Sequence, residues 1–126
     1  MIPPGPKEPG KMTGKLVVLV TCANAREAGR IAQALVGERL AACVNIQKSP
    51  VLSVYRWQGK IERASEILLF AKTSVRLFPR LDRLVRELHS YQTPEIVALP
   101  IAAGSPAYLQ WLDESLAPAK RVRREK

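Results

Sequence analysis

The stretch KLVVLVTCANAREAGRIAQALV, residues 15–36, reads as a strand followed directly by an amphipathic helix. Residues 15–21 form a short apolar run rich in Val, which is typical of a strand buried on both faces. Asn24, with Glu27 three residues later, has the capping-box pattern that marks a helix start. Apolar residues then recur at the helical period and define one apolar stripe: Ala28, Ile31, Ala32, Leu35 and Val36.

A long hairpin follows this first unit. Residues 40–47 and 51–57 have strand composition, and the Ser49-Pro50 pair between them predicts a break or a bulge, because proline cannot donate to a β-ladder. Gln58-Gly59 predicts a tight turn, after which residues 60–73 return as a strand. Along this second arm both faces are apolar near Leu68 and Phe70, so we expect a partner subunit to cover the face that helices leave open.

The second half of the chain repeats the pattern of helix and strand. Ser74 is placed to cap a second helix that contains Pro79 near its start. Residues 95–101 are an apolar strand, in which Pro100 indicates an edge position or the end of the strand. Ser105-Pro106 marks the start of a third helix.

The predicted order of elements is therefore βαββαβ plus a C-terminal helix. This is the split βαβ, or ferredoxin-like, arrangement of the α+β class. It predicts a four-stranded antiparallel sheet with both main helices on one face. We place this domain at residues 15–116.

Length and composition exclude several classes of protein. The chain has 126 residues, of which 47% are hydrophobic and 25% are charged, so it forms one globular domain rather than a disordered chain. No apolar run approaches the roughly 20 residues that a membrane span needs. Residues 1–14 are rich in proline and glycine and predict a disordered arm without an apolar signal segment. We therefore expect a cytoplasmic protein with reduced cysteines.

The net charge of +9 is concentrated at the C-terminal end. Residues 117–126 form a basic tail that includes the sequence AKRVRREK. A tail of this kind can bind to any anionic surface. Nucleic-acid binding through this tail is disfavoured, because no RNA-binding motif with interleaved aromatic and basic residues lies on the predicted strands.

Candidate metal ligands are few. The chain has no Walker loop, no GxSxG, no HExxH and no CxxC, and we predict that it is not an enzyme and requires no cofactor. His89, the only histidine, and Glu95 flank a turn, and Cys22 ends the first strand. Together they offer nitrogen, oxygen and sulfur donors, a set that suits copper or zinc. The alternative is that His89 interacts with the last carbonyls of its helix and that Cys22 is a small buried residue.

A second group of residues is a candidate for lining a ligand cleft or a subunit interface. Aromatic side chains are enriched at such surfaces, and for Tyr55 and Trp57 we favour the interface. Lys72 could bind an anionic ligand there. The full set is Tyr55, Trp57, Lys72, Tyr91 and Trp111.

Six ordered segments of the chain resemble the CutA family of divalent-cation tolerance proteins. They are TCAN at 21–24, RLAACVN at 39–45, SVYRWQGKIE at 53–62, KTS at 72–74, LHSYQTPEIVALPI at 88–101 and YLQWL at 108–112. The resemblance implies a ferredoxin-like subunit, similar to PII signalling proteins, in a homotrimer. In that family His89 and Glu95 match motif positions near an inter-subunit cleft, and Cys22 lies in a T-C-P-N motif in which this chain has Ala23 in place of proline.

Two functional hypotheses follow from the resemblance. The first is a non-enzymatic trimeric protein that binds divalent metal, with Cu(II) the first choice, at inter-subunit clefts through His89, Glu95 and Cys22. The alternative is a PII-like signalling or assembly module that binds a small anionic ligand in the same clefts.

Overall fold

The computed structural model describes residues 13–119. Most of the predicted N-terminal arm (residues 1–12) and most of the basic tail (residues 120–126) lie outside the described residues. The elements in chain order are β1 (Lys15–Cys22), α1 (Ala25–Gly37), β2 (Cys43–Trp57), β3 (Lys60–Ser74), α2 (Phe78–Leu88), β4 (Ile96–Pro100) and α3 (Pro106–Ser115).

The four strands form one antiparallel sheet in the order β2-β3-β1-β4. The central strand β1 pairs with β3 on one side and with β4 on the other, so that Val18 lies opposite both Ala71 and Ala98. This topology confirms the predicted ferredoxin-like fold, and β4 is an edge strand, as Pro100 indicated.

One face of the sheet carries the hydrophobic core. Because side chains alternate along a strand, every second residue of β1 points toward α1 and α2. The core on this side is fully or almost fully buried and includes Val18, Val20, Ile31, Leu69, Leu81 and Val85. Leu112 and Leu116 of α3 join the same core.

The opposite face of the sheet, which we call the outer face, is also apolar. Leu19 of β1 lies directly opposite Phe70 of β3, and Val17 of β1 and Leu68 of β3 are their neighbours on this face. On the edge strand Val97 and Leu99 are 45% and 49% exposed. The apolar second face predicted at Leu68 and Phe70 is therefore present.

Among residues 13–119, none of the helices has the length and apolar character that a membrane span requires.

Several element boundaries differ from the prediction. β2 starts at Cys43 rather than at residue 40, and it runs through Ser49-Pro50 as one strand with a register shift between Gln47 and Val51. Residues 13 and 14 belong to the domain, since Thr13 Oγ1 donates to the carbonyl of Ile101 at 2.6 Å.

Ser74 does not cap α2. The N-cap is Leu77, and the Ser74 hydroxyl instead accepts from the backbone N–H of Leu77 at 3.3 Å in the turn before the helix. Three turn residues, 75–77, intervene between the strand and the helix, and Pro79 lies in the first turn of α2, where its missing N–H is tolerated. Ser105 stands at the N-cap of α3 as predicted, but its side chain makes no capping hydrogen bond.

The β2–β3 hairpin extends beyond the sheet as an arm that ends in a two-residue turn. Gln58 and Gly59 have φ values of 51° and 81°, which are the positive values of a type I′ turn. Positive φ at the second position is free of steric cost only for glycine. One side of the arm carries three apolar side chains that are each more than half exposed: Leu52, Val54 and Ile61.

Alanine substitutions at two glycines should change stability in opposite directions, because Gly59 has a positive φ in the hairpin turn and Gly29 lies within helix α1. Gly59→Ala puts a Cβ on a residue with φ near 81°, and we expect a loss of about 1 kcal/mol of stability. Gly29→Ala lies within α1 with no atom within 4 Å of the new Cβ, and we expect a gain of about 0.5–1 kcal/mol. Chemical denaturation at fixed protein concentration measures both, and shifts of the same sign would contradict the assigned turn.

Candidate functional site

Three segments meet where β1 ends. They are the last residues of β1, the first turn of α1, and the α2–β4 loop that starts at His89 and ends at Glu95. His89 is the C-cap of α2, and its backbone N–H donates to the carbonyl of Val85 at 2.9 Å. The crossover from α2 to β4 returns the chain to the edge beside β1, which brings this loop over the end of the strand.

His89 is fully buried and both of its ring nitrogens are hydrogen-bonded. Nε2 lies 2.7 Å from the carbonyl oxygen of Thr21, and Nδ1 accepts from the backbone N–H of Tyr91 at 3.1 Å. A carbonyl oxygen only accepts and a backbone N–H only donates. The partners therefore assign the neutral tautomer with the proton on Nε2.

Glu27 joins the start of α1 to the α2–β4 loop. One carboxylate oxygen accepts from the N–H of Ala23 and from the hydroxyl of Ser90, and the other accepts from the N–H of Ser90. Burial by itself raises the pKa of Glu27, but these hydrogen bonds stabilise the charged form and hold the net pKa below the usual value of 4.5. The predicted capping box is present, since Asn24 Oδ1 accepts from the N–H of Glu27 at 2.8 Å.

Cys22 points into the core beside these two groups. It is fully buried, and burial, with the charges of Glu27 and Glu66 adding to it, raises the pKa of its thiol to about 12. Ligand atoms of Cys22, Glu27 and His89 all lie within 4.8 Å of one another. Among the residues that the structure describes, this is the only such group of three or more, and we call it the buried cluster.

A cavity of about 580 Å³ lies on the other side of β1, on the outer face. Glu66 and Glu95 line it together with the aromatic residues Tyr55, Trp57 and Tyr91, while Thr21 forms part of its wall. The Tyr91 hydroxyl donates to Glu66 Oε2 at 2.7 Å, and burial and this bond both raise the pKa of Tyr91. We call this space the outer cavity.

The predicted site residues therefore divide into two groups. Cys22 and His89 meet in the buried cluster, where their carboxylate neighbour is Glu27, whereas Glu95 lines the outer cavity with Tyr55, Trp57 and Tyr91. Whether Glu95 binds metal stays a prediction.

Lys72 and Trp111 lie apart from both groups. Lys72 is at the opposite end of the sheet, where its ammonium donates to Asn45 Oδ1 and lies 3.7 Å from Cys43 Sγ. Trp111 is on the surface of α3 against Tyr108, with ring centroids 5.5 Å apart. Neither lines the outer cavity.

Comparison with known proteins places this geometry in a family. The profile of the family described as "CutA1 divalent ion tolerance protein" matches residues 16–115. The chain belongs to the CutA1 family. It is 52% identical over 99 residues to the divalent-cation tolerance protein CutA of Thermus thermophilus, which covers 79% of this chain and 95% of that protein.

Other CutA proteins agree with this assignment. The mouse Protein CutA is 42% identical over 113 residues, and this chain spans 63% of its length. The solved structure of the Thermus thermophilus protein superposes with a TM-score of 0.80 at 50% identity, covering 82% of this chain and 99% of that one.

The sequence analysis assigned neither Glu66 nor Glu27 to a binding site. A glutamate on a strand is usually solvated, yet Glu66 of β3 is only 6% exposed. Glu27 was identified as a capping residue, but its bonds to Ser90 join positions 63 residues apart. Only the capping-box spacing pointed to Glu27, and no local pattern pointed to Glu66.

Replacing Glu27 with Gln removes a buried negative charge that three hydrogen bonds stabilise, and we expect a loss of about 1–3 kcal/mol at pH 7. Because folding lowers the pKa of Glu27, its contribution is present above about pH 4.5 and disappears as the pH falls through the lowered folded value. Denaturation of both proteins from pH 7 to pH 3 measures this, and a difference that grows on acidification would contradict it.

Proposed function

We propose that this CutA1-family protein serves divalent-cation tolerance by binding the cation itself, copper foremost, and not by catalysing a reaction. The observation that supports this is the buried cluster, in which a thiol, an imidazole and a carboxylate have ligand atoms within 4.8 Å of one another. Copper prefers sulfur and imidazole nitrogen as donors, whereas the harder alkaline-earth ions prefer oxygen.

The donor set fits a divalent ion only if existing bonds are exchanged. An ion held by His89 through Nδ1 displaces the Tyr91 N–H, and one held by Cys22 displaces the thiol proton. Glu27 is already charged and lies 3.8 Å from His89 Nδ1, so it is the carboxylate within reach in one chain. Since all three side chains are buried, entry of the ion also requires the α2–β4 loop to move aside.

Anion binding is the less favoured alternative. The residues that line the outer cavity include two glutamates and no lysine or arginine, and Lys72 lies at the other end of the sheet. A small anion would meet repulsion from Glu66 and Glu95 at this site.

Anaerobic titration of the full chain with Cu(II) tests the proposal. We expect saturable binding with a sulfur-to-copper charge-transfer band, and we expect Cys22→Ser and His89→Asn each to weaken binding at least tenfold. Because the thiol must lose its proton, the apparent affinity should rise about tenfold per pH unit between pH 7 and pH 9 in the unchanged protein but not in Cys22→Ser.

Matched variants identify the ligands. Cys43→Ser removes the other free cysteine, at the far end of the sheet, and should leave the band unchanged. Glu27→Gln and Glu95→Gln distinguish the neighbour seen in the buried cluster from the carboxylate expected from the sequence. If Cys22→Ser and His89→Asn bound Cu(II) as tightly as the unchanged protein does, the proposal would be contradicted.

We also propose that the chain assembles as a homotrimer through its outer face. The apolar character of Val97, Leu99 and Phe70 supports this, because an exposed sheet face of this kind is stable in water only when it is covered. The outer cavity would then lie near a subunit boundary.

A charge on the outer face should disrupt that assembly. Phe70→Asp would bury an unpaired carboxylate, and we expect its mass by light scattering to fall from three times the 14.0 kDa chain mass toward a single chain. Val36→Asp is the control, since Val36 is 43% exposed on the surface of α1. A trimeric Phe70→Asp with unchanged stability would exclude this face as the interface.

A further inference from the structure

The outer cavity has the size of a small-molecule site. Its volume of about 580 Å³ lies within the 300–1,000 Å³ that is usual for ligand pockets. Thr21 is the point of contact with the buried cluster: its carbonyl accepts from His89, while the residue itself lines the cavity. The two sites are therefore adjacent but lie on different sides of β1.

Glu66 is the residue that indicates what the cavity binds. It is 6% exposed, and its Oε2 accepts the Tyr91 hydroxyl. Within residues 13–119 its other oxygen, Oε1, accepts no hydrogen bond and the side chain forms no ion pair. A buried carboxylate with an unused acceptor is costly unless a donor or a cation reaches it.

Aromatic rings line the same cavity as this carboxylate. Val51 lies directly opposite Glu66 in the register of the hairpin, so Ser53, Tyr55 and Trp57 share its face of the arm. Tyr91 adds a third ring from the α2–β4 loop, and Glu95 adds a second carboxylate. Aromatic faces attract organic cations, and carboxylates accept hydrogen bonds from their N–H groups.

We infer that the outer cavity binds a protonated primary amine that carries an aromatic or apolar group. Its ammonium donates to Glu66 Oε1 and is further attracted by Glu95, and its apolar part packs against Tyr55 and Trp57. A divalent ion would use the carboxylates but gain little from the aromatic faces, whereas an organic ammonium ion uses both. The inference is independent of the proposed metal binding, which uses Cys22 and His89.

Phenethylammonium chloride is the probe, with 2-phenylethanol and phenylacetate as its neutral and anionic counterparts. Calorimetric titration of the full chain at pH 7.5 should show saturable binding of the amine, with the alcohol and the acid at least tenfold weaker. Glu66→Gln should weaken amine binding at least tenfold. Trp57→Leu should weaken the amine and the alcohol together, because it removes the shared apolar contact.

Three controls separate this inference from a general loss of structure and from the metal site. Glu87→Gln changes an exposed carboxylate on α2, away from the cavity, and should bind the amine as the unchanged protein does. Cys22→Ser should also bind it normally, which keeps a failure of the metal proposal distinct. If Glu66→Gln fails to fold by circular dichroism, Glu95→Gln at the exposed rim replaces it, with an expected loss of at least threefold.

Three results would overturn the inference. Equal binding of the amine and the alcohol would show a purely apolar cavity. Undiminished amine binding by folded Glu66→Gln would place the ligand elsewhere. No saturable binding by the unchanged protein would mean that the cavity is closed in solution, as when a second copy of the chain fills it.

Discussion

The buried hydrogen bond from His89 Nε2 to the carbonyl of Thr21 joins the end of the central strand to the end of α2. It fixes the ring as the neutral tautomer and leaves Nδ1 as the acceptor for the Tyr91 N–H. Through that second bond the same ring holds the start of the α2–β4 loop, and Glu27 holds the next residue, Ser90, by its backbone and hydroxyl. Both candidate sites depend on this loop, because it supplies His89 to one of them and Tyr91 and Glu95 to the other.

The alternation of side chains along β1 separates those two sites. Cys22 points toward the helices and Thr21 toward the outer face, so neighbouring residues of one strand belong to environments of different chemistry. On the helix side a thiol and an imidazole are buried, and burial raises the pKa of Cys22, so that metal binding there would compete with a proton. On the outer side carboxylates and aromatic rings are open to a ligand. Pairing with β3 on one side and β4 on the other holds β1 in position between the two sites.

The fold was predictable from the sequence because its signals are local. The apolar run of β1, the cap at Asn24 and the Gln58-Gly59 turn each depend on a few adjacent residues, and each is present. The start of α2 was misplaced since Ser74 can cap a turn as well as a helix. The site was less predictable because its contacts are not local: Glu66 and Tyr91 are 25 residues apart, and Glu27 and Ser90 are 63 apart. A glutamate on a strand looks solvated until the loop that covers it is placed.

The two sites also share a sign of charge, which limits what this surface can bind. Glu27, Glu66 and Glu95 lie around the end of β1, and no lysine or arginine lines the outer cavity, although the chain carries a net charge of +9. Net charge therefore says little about local potential here, since the basic residues are concentrated elsewhere. A cation that reaches this end of the molecule first meets the carboxylates and aromatic rings of the outer cavity. It reaches the imidazole of His89 and the thiol of Cys22 only if the α2–β4 loop opens. That order would favour organic ammonium ions at the surface and reserve the buried donors for an ion whose affinity for thiolate and imidazole exceeds the cost of breaking the hydrogen bonds of His89 and Glu27.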